Sequence, residues 1–367
     1  MKVAIVHEWL DSFAGSERVV EQLLAEWPQA DLHVLVDFMP ESERGFLGGR
    51  PVRTSFLQRL PFARRHFRKY LGLMPMAIEQ FDMTGYDLVL SSSHAVAKGV
   101  ITGPGQLHVS YVHSPMRYAW DLHHQYLRES GKEGGLTGIY ARRLLHKLRI
   151  WDRASAAGPD VVVANSTYIA ERIAKAWRRE SIVVHPPVDV ERFALQEAKG
   201  DFYLTASRMV PYKRIEIIAA AFARMPTRRL VIVGDGTNEA RVREAAAGAP
   251  NIEFRGRVAT PELVALTQSA RACVFAAEED FGIATVEALA CGTPVIAYGR
   301  GGARDIVTPP ETGVFFEEQT ADAIIAAVGH FETLSIAPAA CRAQAERFSR
   351  TAFRAAMRRV VEEAQRA

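Results

Sequence analysis

Apolar residues in this chain fall in short continuous runs. KVAIVH, ADLHVLVDF, YDLVL, LHVSYV and DVVVAN occupy the first half; FYLTAS, LVIVG, NIEFRG, ACVFAA and PVIAY occupy the second. Short runs without polar alternation, each closed by glycine, serine or charge, predict strands buried on both faces of a parallel sheet. Between them lie segments with helical periodicity, among them RVVEQLLAEW, TYIAERIAKAW, RIEIIAAAFARM and ELVALTQSA. Regular strand–helix alternation predicts α/β architecture: doubly wound parallel sheets with helices on both faces.

At 367 residues the chain exceeds what one hydrophobic core serves, so two domains are expected. Pro186-Pro187 ends the last strand of the first half and stiffens the linker after it, which puts the boundary near 187. The expected domains are 1–187 and 188–349, with a terminal helix over about 350–367.

Hydrophobic residues make up 48% and charged residues 24%, ordinary for a soluble enzyme. A net charge of +3 is too small to point to nucleic acid. Cys273, Cys291 and Cys341 lack metal-ligand spacing and read as small core residues of a reducing compartment. No signal peptide is expected, since the first apolar run ends at His7-Glu8, and no run reaches the ~18 apolar residues of a membrane span.

The densest candidate chemistry is EEDFGIATVEALACGTPVIAYGRGGARD, Glu278 to Asp305. A strand breaks into Glu278, Glu279 and Asp280. Gly282 opens a short helix, Gly292 closes it, and a second strand runs into Gly299-Arg300-Gly301-Gly302. Ligands of doubly wound sheets sit at such carboxyl edges. A helix start there offers N–H groups and partial positive charge to an anion such as a diphosphate, which makes Asp280, Phe281, Gly282 and Ile283 candidate donor-binding residues. Glu279 and Glu287 would repel phosphate and suit sugar and ribose hydroxyls; a solvated helix residue and a capping cluster are the plain alternative. Upstream, Arg208 and Lys213 flank another strand–helix turn, where cations oppose the helix dipole unless an anion lies between them.

With two glutamates separated by seven residues, and with EEDFGI, VEA, CGTPVIAYGRGG and TGVFF in this order, the sequence resembles the family 4 (group 1) retaining glycosyltransferases. It is most similar to the bacterial mannosyltransferases that build O-antigen and exopolysaccharide units. Ala284-Thr285 replace the proline common in that helix, at a small expected loss of stability. The resemblance implies the GT-B fold, two Rossmann-like domains facing across a cleft. The first would bind acceptor and carry the terminal helix packed back on it; the second would bind nucleotide sugar. It also implies that Arg208 and Lys213 hold the donor diphosphate, that Gly15, in Ala14-Gly15-Ser16-Glu17, approaches the β-phosphate or acceptor, and that Arg257 and Val258 contact the nucleobase. His113, read from the residues alone, is a strand-end histidine bonded to backbone; the resemblance puts it near the anomeric centre.

The activity that the resemblance implies is mannosyl transfer from GDP-mannose to a saccharide, lipid-linked, with retention by front-face substitution, for bacterial surface polysaccharide. Arg208, Lys213, Glu279 and His113 are the expected catalytic set. No Asp-x-Asp occurs, so neither metal nor other cofactor is expected. Between 56 and 71, Arg59, Arg64, Arg65, Arg68 and Lys69 interleave with phenylalanine, leucine and tyrosine. That pattern suits either an anionic membrane surface or an ordinary pair of surface helices. A second basic helix, RRLLHKLRIWDRASA, is either a solvated face or a second patch for an anionic partner. The expected location is cytoplasmic, peripheral at the inner face of the plasma membrane. Remaining alternatives are a UDP-sugar donor, a nucleotide-sugar epimerase or phosphorylase on the same fold, and a non-catalytic sugar-nucleotide-binding subunit of an assembly complex.

Overall fold

The computed structural model describes residues 1–366. The chain divides into two compact units: Met1–Pro186 together with the chain from Phe353 onward, and Pro187–Ala352.

Unit 1 holds strands β1 (Val3–Leu10), β2 (Asp31–Asp37), β3 (Val52–Thr54), β4 (Leu88–Ser93), β5 (Leu107–Val112), β6 (Val161–Ala164) and β7 (Ile182–Val183). They form one parallel sheet in the order β3-β2-β1-β4-β5-β6-β7. Successive side chains of a strand face opposite sides, and β1 uses both. Val3 and Ile5 pack with Val19, Val20 and Leu23 of helix Gly15–Glu26 and with Phe353 and Met357 of helix Arg350–Ala364. Ala4 and Val6 pack on the other face with Ile78, Leu145 and Leu148.

Unit 2 holds β8 (Phe202–Ala206), β9 (Arg229–Val233), β10 (Ile252–Gly256), β11 (Ala272–Phe275), β12 (Val295–Tyr298) and β13 (Gly313–Phe316), parallel in the order β10-β9-β8-β11-β12-β13. In each sheet the chain winds outward, then returns past its first strand and winds the other way. The reversal falls between β1 and β4 in unit 1, and between β8 and β11 in unit 2. The crevice outside the carboxyl ends of those two strands is where open α/β sheets bind ligands.

Three local readings change. Strand β1 does not stop at His7 but runs to Leu10, because His7 and Glu8, though buried, are both hydrogen-bonded. The three-residue edge strand β3 carries too little apolar signal to be seen in sequence. The basic stretch 56–71 is neither a continuous amphipathic helix nor a helix pair. It breaks into turns at Phe56–Arg59, Ala63–His66 and Phe67–Leu73, because Pro61 forces Leu60 extended and Phe62 takes a left-handed φ of 58°. Among the described residues no helix is long and apolar enough to cross a membrane.

Candidate functional site

Unit 2 builds its reversal point from backbone. The loop after β8 carries Arg208 and Met209, and it is pinned when Met209 N donates to Asp235 O at 2.6 Å and Asn238 N donates to Met209 O at 2.8 Å. The approach demands glycine, since a Cβ on Gly234 would collide with Ser207 O and one on Gly236 with Met209 O. The loop after β11 is clamped in the same way by the loop after β12. Gly302 N donates to Glu279 O at 2.8 Å, and a Cβ on Gly302 would overlap the backbone of Phe281. Gly282, at φ 104°, turns the chain into helix Ile283–Ala290 and, having no side chain, supplies no side-chain cap of its own. The N–H groups of Ile283 and Ala284 are thereby presented at the sheet edge.

Lys213 Nζ and Glu279 Oε1 form an ion pair across this crevice, with the Lys213 ammonium 5.2 Å from the Tyr212 ring. Arg208 is exposed on the same edge; Asp280 and Glu287 are half-buried. Arg257 and Val258 follow β10, two strands from β8 and so about 10 Å along the edge. The structure therefore joins Lys213 to Glu279 directly, sets Arg208 and residues 280–283 on that edge, and leaves Arg257 and Val258 farther out.

Unit 1 builds its reversal point from buried polar side chains. Glu8 is fully buried. Its Oε1 accepts from the backbone N–H groups of His94, Ala95, Val96 and Ala97 at 2.7 to 3.0 Å and from Ser93 Oγ at 3.2 Å. Burial pushes the Glu8 carboxyl up, but His94 and those N–H groups outweigh it and hold the pKa below the usual value. Ser92 Oγ lies 2.8 Å from His113 Nε2 and 3.1 Å from His7 Nδ1. The His94 ring stands 6.2 Å from the rings of both His7 and His113. Burial first, then the charges of His94 and His7, hold His113 well below the usual histidine range. Gly15 opens helix Gly15–Glu26, where Glu17 Oε2 accepts from Ala14 N at 3.0 Å and closes the turn that a first glycine would otherwise shape.

Behind this cluster, Lys98 and Asp152 form a fully buried ion pair at 2.6 Å. Asp152 Oδ2 also accepts from Trp120 Nε1 and Trp177 Nε1, each at 2.7 Å. The Lys98 ammonium lies 5.0 Å and 4.9 Å from the Trp151 and Trp177 rings. Sequence reasoning singled out only His113 and Gly15 here and missed His7, Glu8, Glu17, Ser92, His94, Lys98 and Asp152. The available signal was His7-Glu8 itself, a charged pair inside a run that must be buried.

Two family models match the chain almost end to end: Glycosyltransferase Family 4 over residues 13–192 and Glycosyl transferases group 1 over residues 187–348. The chain belongs to the family 4 glycosyltransferases. Solved structures similar to it show that this family 4 glycosyltransferase has the GT-B fold. Anabaena Alr3699/HepE in complex with UDP matches with a TM-score of 0.68 at 17% identity, over 99% of this chain and 100% of that one. Sucrose-phosphate synthase from Thermosynechococcus elongatus matches with a TM-score of 0.70 at 19% identity, over 99% of each. Among curated proteins, the GDP-mannose-dependent alpha-(1-6)-phosphatidylinositol monomannoside mannosyltransferase of Mycolicibacterium smegmatis is 32% identical over 46% of this chain and 52% of its own length. The GDP-mannose-dependent monoacylated alpha-(1-6)-phosphatidylinositol monomannoside mannosyltransferase of Corynebacterium glutamicum is 31% identical over 44% of this chain and 50% of its own length. The chain thus spans about half the length of the curated relatives it matches.

Proposed function

We propose that this glycosyltransferase moves a mannosyl residue from GDP-mannose to a lipid-linked saccharide, with retention of configuration, in bacterial surface polysaccharide synthesis. The observation that carries the donor half is the Lys213–Glu279 pair beside the glycine-opened helix start at Gly282. A diphosphate competes with Glu279 for Lys213, and the exchange frees the Glu279 carboxylate to accept from a sugar hydroxyl. As the anomeric bond breaks, negative charge gathers on the β-phosphate. Arg208, Lys213 and the helix N–H groups, all of unit 2, meet that charge already oriented, which lowers the barrier. Glu287 binds ribose, Asp280 to Ile283 line the donor, and Arg257 and Val258 meet the base. The departing phosphate oxygen takes the acceptor proton, and His113 orients the transferred sugar. The GDP-mannose-dependent names of the curated relatives support this donor.

The test tracks nucleotide release from GDP-mannose, GDP-fucose and UDP-glucose, with and without lipid-linked saccharides. Acceptor-dependent release from GDP-mannose alone is expected, undiminished by EDTA, since fixed cations do the work of a metal in this scheme. Binding without release under any acceptor would overturn the reading of the chain as a transferase. A UDP-sugar donor is the second reading, favoured by the fold similarity to a protein solved with UDP; release from UDP-glucose would establish it.

We also propose a peripheral site at the cytoplasmic membrane face. Lys69 and Tyr70 of the broken stretch line a surface cavity of about 370 Å³ with Tyr140, Arg143 and Lys147 of helix Gly135–Ser155, so the two basic segments lie side by side. Neither 56–78 nor 134–151 contains an acidic residue. Each basic residue near an anionic surface adds about 1 kcal/mol. Co-sedimentation with phosphatidylglycerol vesicles but not phosphatidylcholine vesicles is expected, and equal sedimentation with both would remove the electrostatic basis.

A further inference from the structure

His7 has an oxygen at each ring nitrogen. Nε2 is 3.4 Å from Glu17 Oε1; Nδ1 is 3.2 Å from the Ser92 carbonyl and 3.1 Å from Ser92 Oγ. A carbonyl can only accept, and so can an ionised carboxylate. Glu17 is ionised: burial raises its pKa, but the hydrogen bond and charge of His7 bring it down to about 2. A ring that faces an obligate acceptor at each nitrogen is satisfied with a proton on both, as the imidazolium. Ser92 Oγ therefore meets an N–H from His7 and accepts there, leaving its own hydrogen for another partner. That partner is His113 Nε2, 2.8 Å away. A hydroxyl hydrogen aimed at this nitrogen requires a lone pair on it. His113, half-buried beside a cationic His7, is neutral, so its single proton sits on Nδ1, for which no protein partner is found among the described residues.

We propose that His7 and Ser92, anchored by Glu17, are positioning residues that hold His113 as the neutral Nδ1–H tautomer, so that it meets the transferred sugar as a hydrogen-bond donor. This rests on the role given to His113 above and narrows it. An N–H at Nδ1 can orient a hydroxyl or other sugar oxygen. It cannot take the acceptor's proton, and it does not stabilise a cationic sugar. The chain of contacts runs from helix Gly15–Glu26 through β1 and β4 to the end of β5, so it links three neighbouring strands to one protonation state. Which nitrogen of a histidine carries the proton is commonly set by the bond its other nitrogen makes.

The experiment is long-range ¹⁵N–¹H correlation on the full chain labelled at histidine, with His7→Asn and His113→Gln spectra for assignment. In the wild-type chain His113 is expected to show a pyrrole-type Nδ1 and a pyridine-type Nε2, and His7 two pyrrole-type nitrogens. Ser92→Ala should return His113 to the Nε2–H form that free neutral histidine prefers. It should also lower kcat by about tenfold to a hundredfold, the usual effect of losing an orienting partner, with KM for donor unchanged. Ser92→Thr, which keeps the hydroxyl, should restore both. A proton on His113 Nε2 in the wild-type chain, or an unchanged pattern in Ser92→Ala, overturns the assignment. The spectra need no donor, so they stand or fall apart from the proposed transfer; a switched tautomer with unchanged kcat overturns the part given to His113 in the chemistry.

Discussion

The two units share a winding pattern and place their polar residues at the same topological point, yet they build it from opposite materials. Unit 2 brings loops so close that only glycine fits at Gly234, Gly236 and Gly302, and hangs an exposed Arg208 and a half-buried Lys213 on that rigid backbone. Unit 1 buries its charges, with Glu8 in a ring of N–H groups and Lys98 against Asp152, and lets them fix the loops. Cations carried on a backbone scaffold are separable from stability. Buried charges are not, because removing one partner strands the other where water cannot reach it.

The largest effect should come from Asp152→Ala, which leaves a buried ammonium and two indole N–H groups without their acceptor. A loss of about 3–5 kcal/mol is expected, seen in urea as a shift of the unit 1 transition alone. A shift under about 1 kcal/mol would break the comparison. Next, Arg208→Ala and Lys213→Ala should each lower kcat about 10²- to 10³-fold while both unfolding transitions stay in place. Full activity in both variants would remove their assigned role. Gly302→Ala should cost unit 2 about 1–3 kcal/mol by forcing apart the loops that carry Glu279 and Gly282, read as an earlier unit 2 transition.

The last contrast is with pH, and it separates the units. Burial holds His33 and His108, both in unit 1, at about 4. Between about 4 and the ordinary 6.5 the unfolded chain binds protons that the folded unit does not. Their contribution is therefore complete above 6.5 and is lost as pH falls toward 4. Unit 2 has a single histidine, His330, exposed on its surface. Urea unfolding monitored from about pH 7 to pH 4 should weaken unit 1 first; equal slopes would remove the distinction.

The same contrast governs how much of the molecule is legible in its sequence. Twelve of the thirteen strands show as apolar runs or recognisable motifs, because a doubly covered parallel sheet needs uninterrupted apolar sequence. The unit 2 loops are legible because the glycines required by close backbone approach share one short stretch with the residues they position, as Gly301-Gly302 do with Glu279 in Glu278 to Asp305. The unit 1 cluster is not. Its members, from His7 and Glu8 to Ser92, His94 and His113, are scattered over more than a hundred positions, and only pairing of β1, β4 and β5 joins them. The break at Pro61 is visible as a proline, but the left-handed turn at Phe62 is a tertiary outcome.

The pocket around Lys98 and Asp152 has an optical consequence. All five tryptophans of the chain, Trp9, Trp27, Trp120, Trp151 and Trp177, belong to unit 1, and three of them touch that ion pair. Intrinsic indole emission therefore reports on unit 1 alone, weighted toward one buried carboxylate, while unit 2 is dark at that wavelength. A single tryptophan introduced beside the Gly282 turn would stand alone in its half of the chain, giving the donor binding proposed there its own signal.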